Sequence, residues 1–150
     1  MTEALKFPLP IGKLSEYLPH RPPAVWIDEV ISVDKTGGRC LTEIKDAPYV
    51  NEGLLRPSSF IELIAQTYGF VHICQIILGL GEGLERPTKT YLVGIRGMQM
   101  NSDSQVSIGE SIGIVVKNVG QLGPLVLVDG KVFNSEEKCL ASGQIKIFAQ

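Results

Sequence analysis

The sequence predicts an α+β fold in which one long, fully buried helix is wrapped by a curved antiparallel sheet. Two observations carry that prediction. Between residues 58 and 79, Phe60, Ile61, Leu63, Ile64, Ala65, Phe70, Val71, Ile73, Ile76, Ile77 and Leu78 point in every direction around a 3.6-residue period. A helix that is apolar all round is a buried helix. Strand signals separated by turn clusters fill the chain after that helix. One sheet around one central helix is the economical way to bury a helix with no polar face. A single sheet covers only part of such a helix, so a second copy is expected to cover the rest, as a homodimer.

Taken in order, Pro10 opens a short helical pattern with Ile11, Leu14 and Leu18 on one face, and Pro19 ends it. Residues 24–34 are rich in β-branched and aromatic side chains. Residues 35–38 turn the chain into residues 39–45, where Cys40, Thr42 and Ile44 alternate with Leu41 and Glu43, so this is a hairpin. Residues 46–57 read as a loop punctuated by Pro48, Gly53 and Pro57. The long helix follows with Ser58 or Ser59 as N-cap, and the glycines between 79 and 83 stop it. Strands are expected at Thr90–Met100, 109–119, 124–134 and 138–148, in an order that fits an antiparallel meander.

Composition describes one ordinary globular domain over residues 1–150, with 44% hydrophobic and 20% charged residues. A net charge of −2 argues against a nucleic-acid partner, which asks for a basic face. No basic segment followed by an apolar one opens the chain, so no secretion signal is expected and a cytoplasmic location is. Residues 58–79 are long enough to span a membrane, but Glu62, Gln66, Thr67, His72 and Gln75 argue against it. Cys40, Cys74 and Cys139 are odd in number, far apart and without metal spacing. They read as small buried hydrophobes in a reducing compartment, and neither metal nor cofactor is expected.

Glu62 stands out because it lies in the first turn of the apolar helix. Burying a lone charge is expensive, so this carboxyl is protonated, partnered or exposed in a cleft. Gln66 and Gly69 follow at i+4 and i+7, giving one narrow stripe of polar and small residues, the pattern of a pocket wall. A first-turn acid that merely complements the positive end of its own helix is the plainer alternative.

The motifs in this layout resemble a known family. Leu18-Pro19-His20-Arg21-Pro22-Pro23 running into Ile27-Asp28-Glu29-Val30 resembles the LPHR-x-P…VDRV opening of bacterial β-hydroxyacyl-acyl-carrier-protein dehydratases. Glu62-Leu63-Ile64-Ala65-Gln66 resembles their E-x-x-A-Q helix motif, and Tyr91-Leu92-Val93-Gly94-Ile95-Arg96 their F-L-x-G-x-R/D strand. The Gly94-Ile95-Arg96 version and the Asn51-Glu52-Gly53 loop look most like the dehydratase-like branch of aryl-polyene biosynthesis clusters. The resemblance implies a hot-dog fold with active clefts between subunits. It also implies a substrate carried on the phosphopantetheine arm of an acyl carrier protein. Glu62 and His20 would be catalytic, and Gln66, Gly69, Ser58, Gly94 and Arg96 would bind substrate.

Two positions depart from the family. Ordinary dehydratases carry a histidine in a G-H-F-P segment before the long helix, whereas this chain has only His20 and His72 and residues 46–57 hold neither. Pro57 falls where a glycine N–H usually polarises the thioester carbonyl, and proline has no N–H, so the donor passes to Ser58 or another backbone amide. Dehydration needs a base for the α-proton, an acid for the leaving hydroxyl and donors for the enolate-like oxygen. Apolar surroundings help a carboxyl keep its proton near neutrality, which suits Glu62 to the acid role. His20 is then the candidate base, against the alternative of a residue closing a helix C-terminus. His72, about 15 Å further along the axis, is expected in packing or at a subunit contact. Trp26 and Tyr91 are candidates for an acyl channel, with core filling as the plainer role. Arg21, Arg56, Arg86, Lys89 and Arg96 offer a basic rim for an acidic carrier, or simply scattered surface charge. The alternative functions are a hot-dog thioesterase using Glu62 without a histidine, and a non-catalytic subunit paired with an active dehydratase.

Overall fold

Residues 5–14, 25–80, 90–101 and 105–149 are described by the structure, a computed structural model. Helix α1, Ser59–Leu78, is the only α-helix among them, and Gly79 stops it in the left-handed conformation at φ 65°. By length and composition α1 is apolar enough to cross a membrane, yet it packs against the protein's own sheet.

That sheet is built from β1 (Leu9–Pro10), β2 (Glu29–Val33), β3 (Gly37–Glu43), β6 (Thr90–Met100), β7 (Ser111–Leu122), β8 (Leu125–Phe133) and β9 (Cys139–Ala149). Its strands run in the order β1-β2-β3-β7-β8-β9-β6, every pairing antiparallel. Period-2 alternation gives each strand an inner and an outer face. Cys40, Ile114, Val128 and Ile145 are buried on the inner face under α1, whereas Lys117, Asp129 and Lys131 stand outside. Close approach of helix and sheet needs missing side chains: a Cβ on Gly130 would lie 2.4 Å from Ile64 Cγ2. The hot-dog arrangement expected from the motifs is the one observed.

Several details differ from expectation. A small hairpin, β4 (Val50–Asn51) with β5 (Leu54–Leu55), lies inside the segment read as loop. Of the four strands after α1, β7-β8-β9 form a meander and β6 does not join it in order, because β6 crosses to the far side and pairs with β9 as the edge strand. β7 continues to Leu122 through a bulge between Asn118 and Gly120, where glycine had signalled a turn. Cys40 and Cys74 are buried but Cys139 is exposed, since it begins an outer strand end. The predicted N-terminal helix is a short 3₁₀ turn, Ile11–Lys13, with Ile11 and Leu14 buried; Leu18 and Pro19 lie outside the described residues.

Candidate functional site

The entry to α1 is tied down from both sides. Ser59 N–H donates to Arg56 O at 2.9 Å and Phe60 N–H to Pro57 O at 3.2 Å, closing a tight turn. Ser58 is exposed at the N-cap without a side-chain cap bond, and its N–H takes no acceptor among the described residues. The loop carbonyl of Tyr49 accepts from Arg56 N–H at 2.8 Å and from the Ser59 hydroxyl at 3.4 Å. Tyr49 is itself buried, with its ring stacked on Trp26 at 4.9 Å between centroids.

A relay of hydrogen bonds reaches the helix carboxylate from there. Trp26 N–H donates to Gln66 Oε1 at 2.9 Å, and Gln66 Nε2 donates to Glu62 Oε1 at 2.9 Å. A backbone N–H can only donate, so Gln66 must present its oxygen to Trp26 and its amide nitrogen to Glu62. Gln66 is only 4% exposed, which locks that orientation, while Glu62 one turn earlier is half-buried. Trp26 is held in turn by the Thr42 hydroxyl, which donates to its carbonyl at 2.5 Å. Asp28 pins the same strands together, accepting from Glu43 N–H and from Lys45 Nζ, each at 2.7 Å. A half-buried carboxyl that an amide holds in place is of the type that serves in proton transfer.

Of the residues singled out in the sequence, Glu62 and Gln66 are brought together, with the Ser58 amide one turn before Glu62 on the same helix. Gly69 is half-buried further along, and Gln66 is turned to Trp26 rather than facing an open wall. His72 is half-buried and stacks on Tyr68 at 5.5 Å. Gly94 and Arg96 pair with Lys146 and Gln144 on the outer sheet face, so within one subunit they are not brought to Glu62. Tyr91 is 50% exposed and fills no core. Arg56 is exposed near the helix start. His20, Arg21, Arg86 and Lys89 lie outside the described residues. Among the described residues no group of three or more His, Cys, Asp or Glu is placed to hold a metal.

The sequence reading missed the backbone of Trp26 and the carbonyl of Tyr49, because main-chain groups carry no residue signature. The indole Nε1 of Trp26 is also buried without a partner among the described residues.

A family model described as ApeP-like, ApeP dehydratase, matches residues 12–150. The dehydratase heterocomplex ApeI:P from Xenorhabdus doucetiae is similar in structure, with a TM-score of 0.77 at 22% identity over 95% of this chain and 91% of that one. Zebrafish thioesterase superfamily member 2 superposes with a TM-score of 0.69 at 16% identity, covering 93% and 94% of the two chains. A hypothetical thioesterase with coenzyme A from Streptococcus pneumoniae gives 0.60 at 13% identity, covering 81% and 84%. These likenesses show the hot-dog fold. No curated protein matches the chain.

Proposed function

The chain belongs to the ApeP-like dehydratase family, and from that premise we propose that it is a cytoplasmic subunit of a dehydratase for 3-hydroxyacyl groups on an acyl carrier protein. The observation that carries this reading is the relay from Trp26 through Gln66 to Glu62, which fixes one carboxyl oxygen on a central helix and leaves the group half-buried. In the proposed reaction a base removes the α-proton, the α-carbon electrons form the double bond, and the β-carbon–oxygen bond breaks. Glu62 gives its proton to the departing hydroxyl, which leaves as water. The Ser58 N–H is the candidate donor to the enolate-like oxygen, since it takes no other acceptor among the described residues. The resemblance of residues 18–23 to the LPHR-x-P opening supports His20 as the base. Gly69 would complete the wall for the acyl chain.

A second hot-dog subunit, a copy or a relative, is proposed to close the cleft along β6. In favour of this, β6 is an edge strand with Tyr91, Leu92, Val93, Ile95 and Met100 exposed, a liability in water until covered. The Xenorhabdus protein is described as a heterocomplex, and that arrangement is carried over here as part of the proposal.

The test is incubation of the pure chain, alone and with a related hot-dog subunit, with 3-hydroxyacyl and saturated acyl carrier-protein thioesters, followed by mass spectrometry. Loss of water is expected, and it should vanish in Glu62→Gln with the circular dichroism unchanged. His20→Ala should cost on the order of a hundredfold, a typical general-base contribution. Free acid would replace this reading with a thioesterase. No product from either substrate in both preparations would leave a non-catalytic subunit.

A further inference from the structure

Charge is distributed unevenly at the free edge of the sheet. β6 and β9, each 11 residues long, contain Arg96 and Lys146 and no carboxylate. The Arg96 side chain is exposed and makes no ion pair or hydrogen bond among the described residues. Lys146 pairs across the strands with Gly94, and a Cβ on Gly94 would lie 3.3 Å from Lys146 Cδ. The lysine stem therefore lies over the glycine and carries its ammonium onto the edge strand. Register shifts at Val93 and at Gly97–Met98 flank this segment, leaving residues 94–96 as the regular stretch between them.

We propose that this edge disfavours a second copy of the chain and selects a related hot-dog subunit whose facing strand bears carboxylates on its outer face. The proposal rests on the reading above that a second hot-dog subunit covers β6. Two antiparallel copies joined about a two-fold axis on residues 94–96 can centre on Gly94, Ile95 or Arg96. Centred on Gly94, the two Lys146 side chains meet. Centred on Ile95, each Arg96 faces the other copy's Gly94 with Lys146 lying over it. Centred on Arg96, the guanidinium groups face each other. Each choice sets like charges across the seam, and like charges directly opposite weaken strand pairing. A facing strand with Asp or Glu at those positions converts each repulsion into attraction. Tyr91, Val93 and Ile95, at 50%, 54% and 48% exposure, supply apolar burial for any partner and so do not discriminate.

A charge swap tests this without knowledge of the register. The double variant Arg96→Glu/Lys146→Glu has an all-acidic edge, which repels itself in each arrangement and attracts the wild-type edge in each. By sedimentation velocity at low salt, the wild type alone and the variant alone should be mostly monomeric. Their equimolar mixture should form a heterodimer at least about tenfold tighter than either self-association. Raising the salt should dissolve it. Lys117→Glu/Lys131→Glu makes the same charge change on the outer face away from the edge and should not pair with wild type. If the double variant fails to fold by circular dichroism, Arg96→Glu alone, on an exposed side chain, gives the same comparison. The proposal is overturned if wild type alone dimerises as tightly as the mixture, if the mixture stays monomeric, or if the Lys117/Lys131 variant pairs equally well. A heterodimer that survives Ile95→Lys would move the seam off β6 and remove the reading beneath. A tight wild-type homodimer dissolved by Ile95→Lys would keep that reading and remove only the charge selection.

Discussion

Gln66 answers two different demands at once, accepting from a backbone N–H and donating to a carboxyl. Gln66→Leu keeps the bulk and loses both bonds. The Trp26 N–H is then left without its acceptor, at a cost of about 1–3 kcal/mol. A lower melting temperature is expected, together with a dehydration rate reduced well beyond what the stability loss explains at the assay temperature. Gln66→Glu restores an acceptor for Trp26 but places two carboxyls side by side. It should melt closer to wild type than the leucine variant while still turning over poorly. Equal activity in both variants and wild type would remove any positioning role for Gln66. At this scale the sequence showed half of the site. The i,i+4 spacing of Glu62 and Gln66 places them on neighbouring turns, and the structure joins them. Gln66 also accepts from a main-chain amide 40 residues earlier, and nothing in the side-chain pattern marks which amide that is. The spacing of Glu62, Gln66 and Gly69 predicts one surface, but the amide's need for an acceptor turns Gln66 inward.

Among the elements, the tightest constraint is where α1 meets β8. A Cβ on Gly130 would sit 2.4 Å from Ile64 Cγ2, and Ile64 is fully buried with nowhere to retreat. Gly130→Ala should destabilise the fold by about 1–3 kcal/mol, the usual cost of overpacking, read as a lower denaturant midpoint. Gly94→Ala makes a useful contrast, since its new methyl would meet only the flexible Lys146 stem at 3.3 Å. A change within about 0.5 kcal/mol is expected there. A neutral Gly130→Ala would mean that helix and sheet are not held as closely as the structure draws them. Alternation and apolarity made α1, β6 and β8 legible within a residue or two, because burial on one face leaves a local imprint. Strand partners leave no such imprint. The pairing of β6 with β9, rather than β7, depends on which edges remain free after the hairpins close. The bulge that carries β7 past Gly120 was likewise hidden, since glycine signals a turn and a bulge alike.

For the whole molecule, the buried side chains form one cluster reaching from Leu9 to Ile147, so a group ionising inside it is felt by the entire fold. Two of its thiols and one phenol are held in their neutral forms. Burial pushes the Cys74 thiol up from 9.0 to about 11 and the Tyr68 hydroxyl up from 10.0 to about 12, and it raises Cys40 as well. Folded protein therefore keeps protons that the unfolded chain releases first. Their stabilising contribution is complete below about pH 9 and shrinks as pH rises, because unfolding then releases protons. The melting temperature should fall steadily between pH 9 and 11, where Cys74 titrates, and further towards pH 12 as Tyr68 follows. Cys74→Ala loses stability at neutral pH by leaving a small cavity, but its melting temperature should fall less steeply between pH 9 and 11. The same burial shields the thiols from chemistry, since the thiolate is the reactive form. A thiol reagent at pH 8 should label Cys139, which is exposed, and reach Cys40 and Cys74 only after denaturant is added. Rapid labelling of all three thiols in the native protein, together with a flat melting profile up to pH 11, would show that the core opens far more readily than its packing implies.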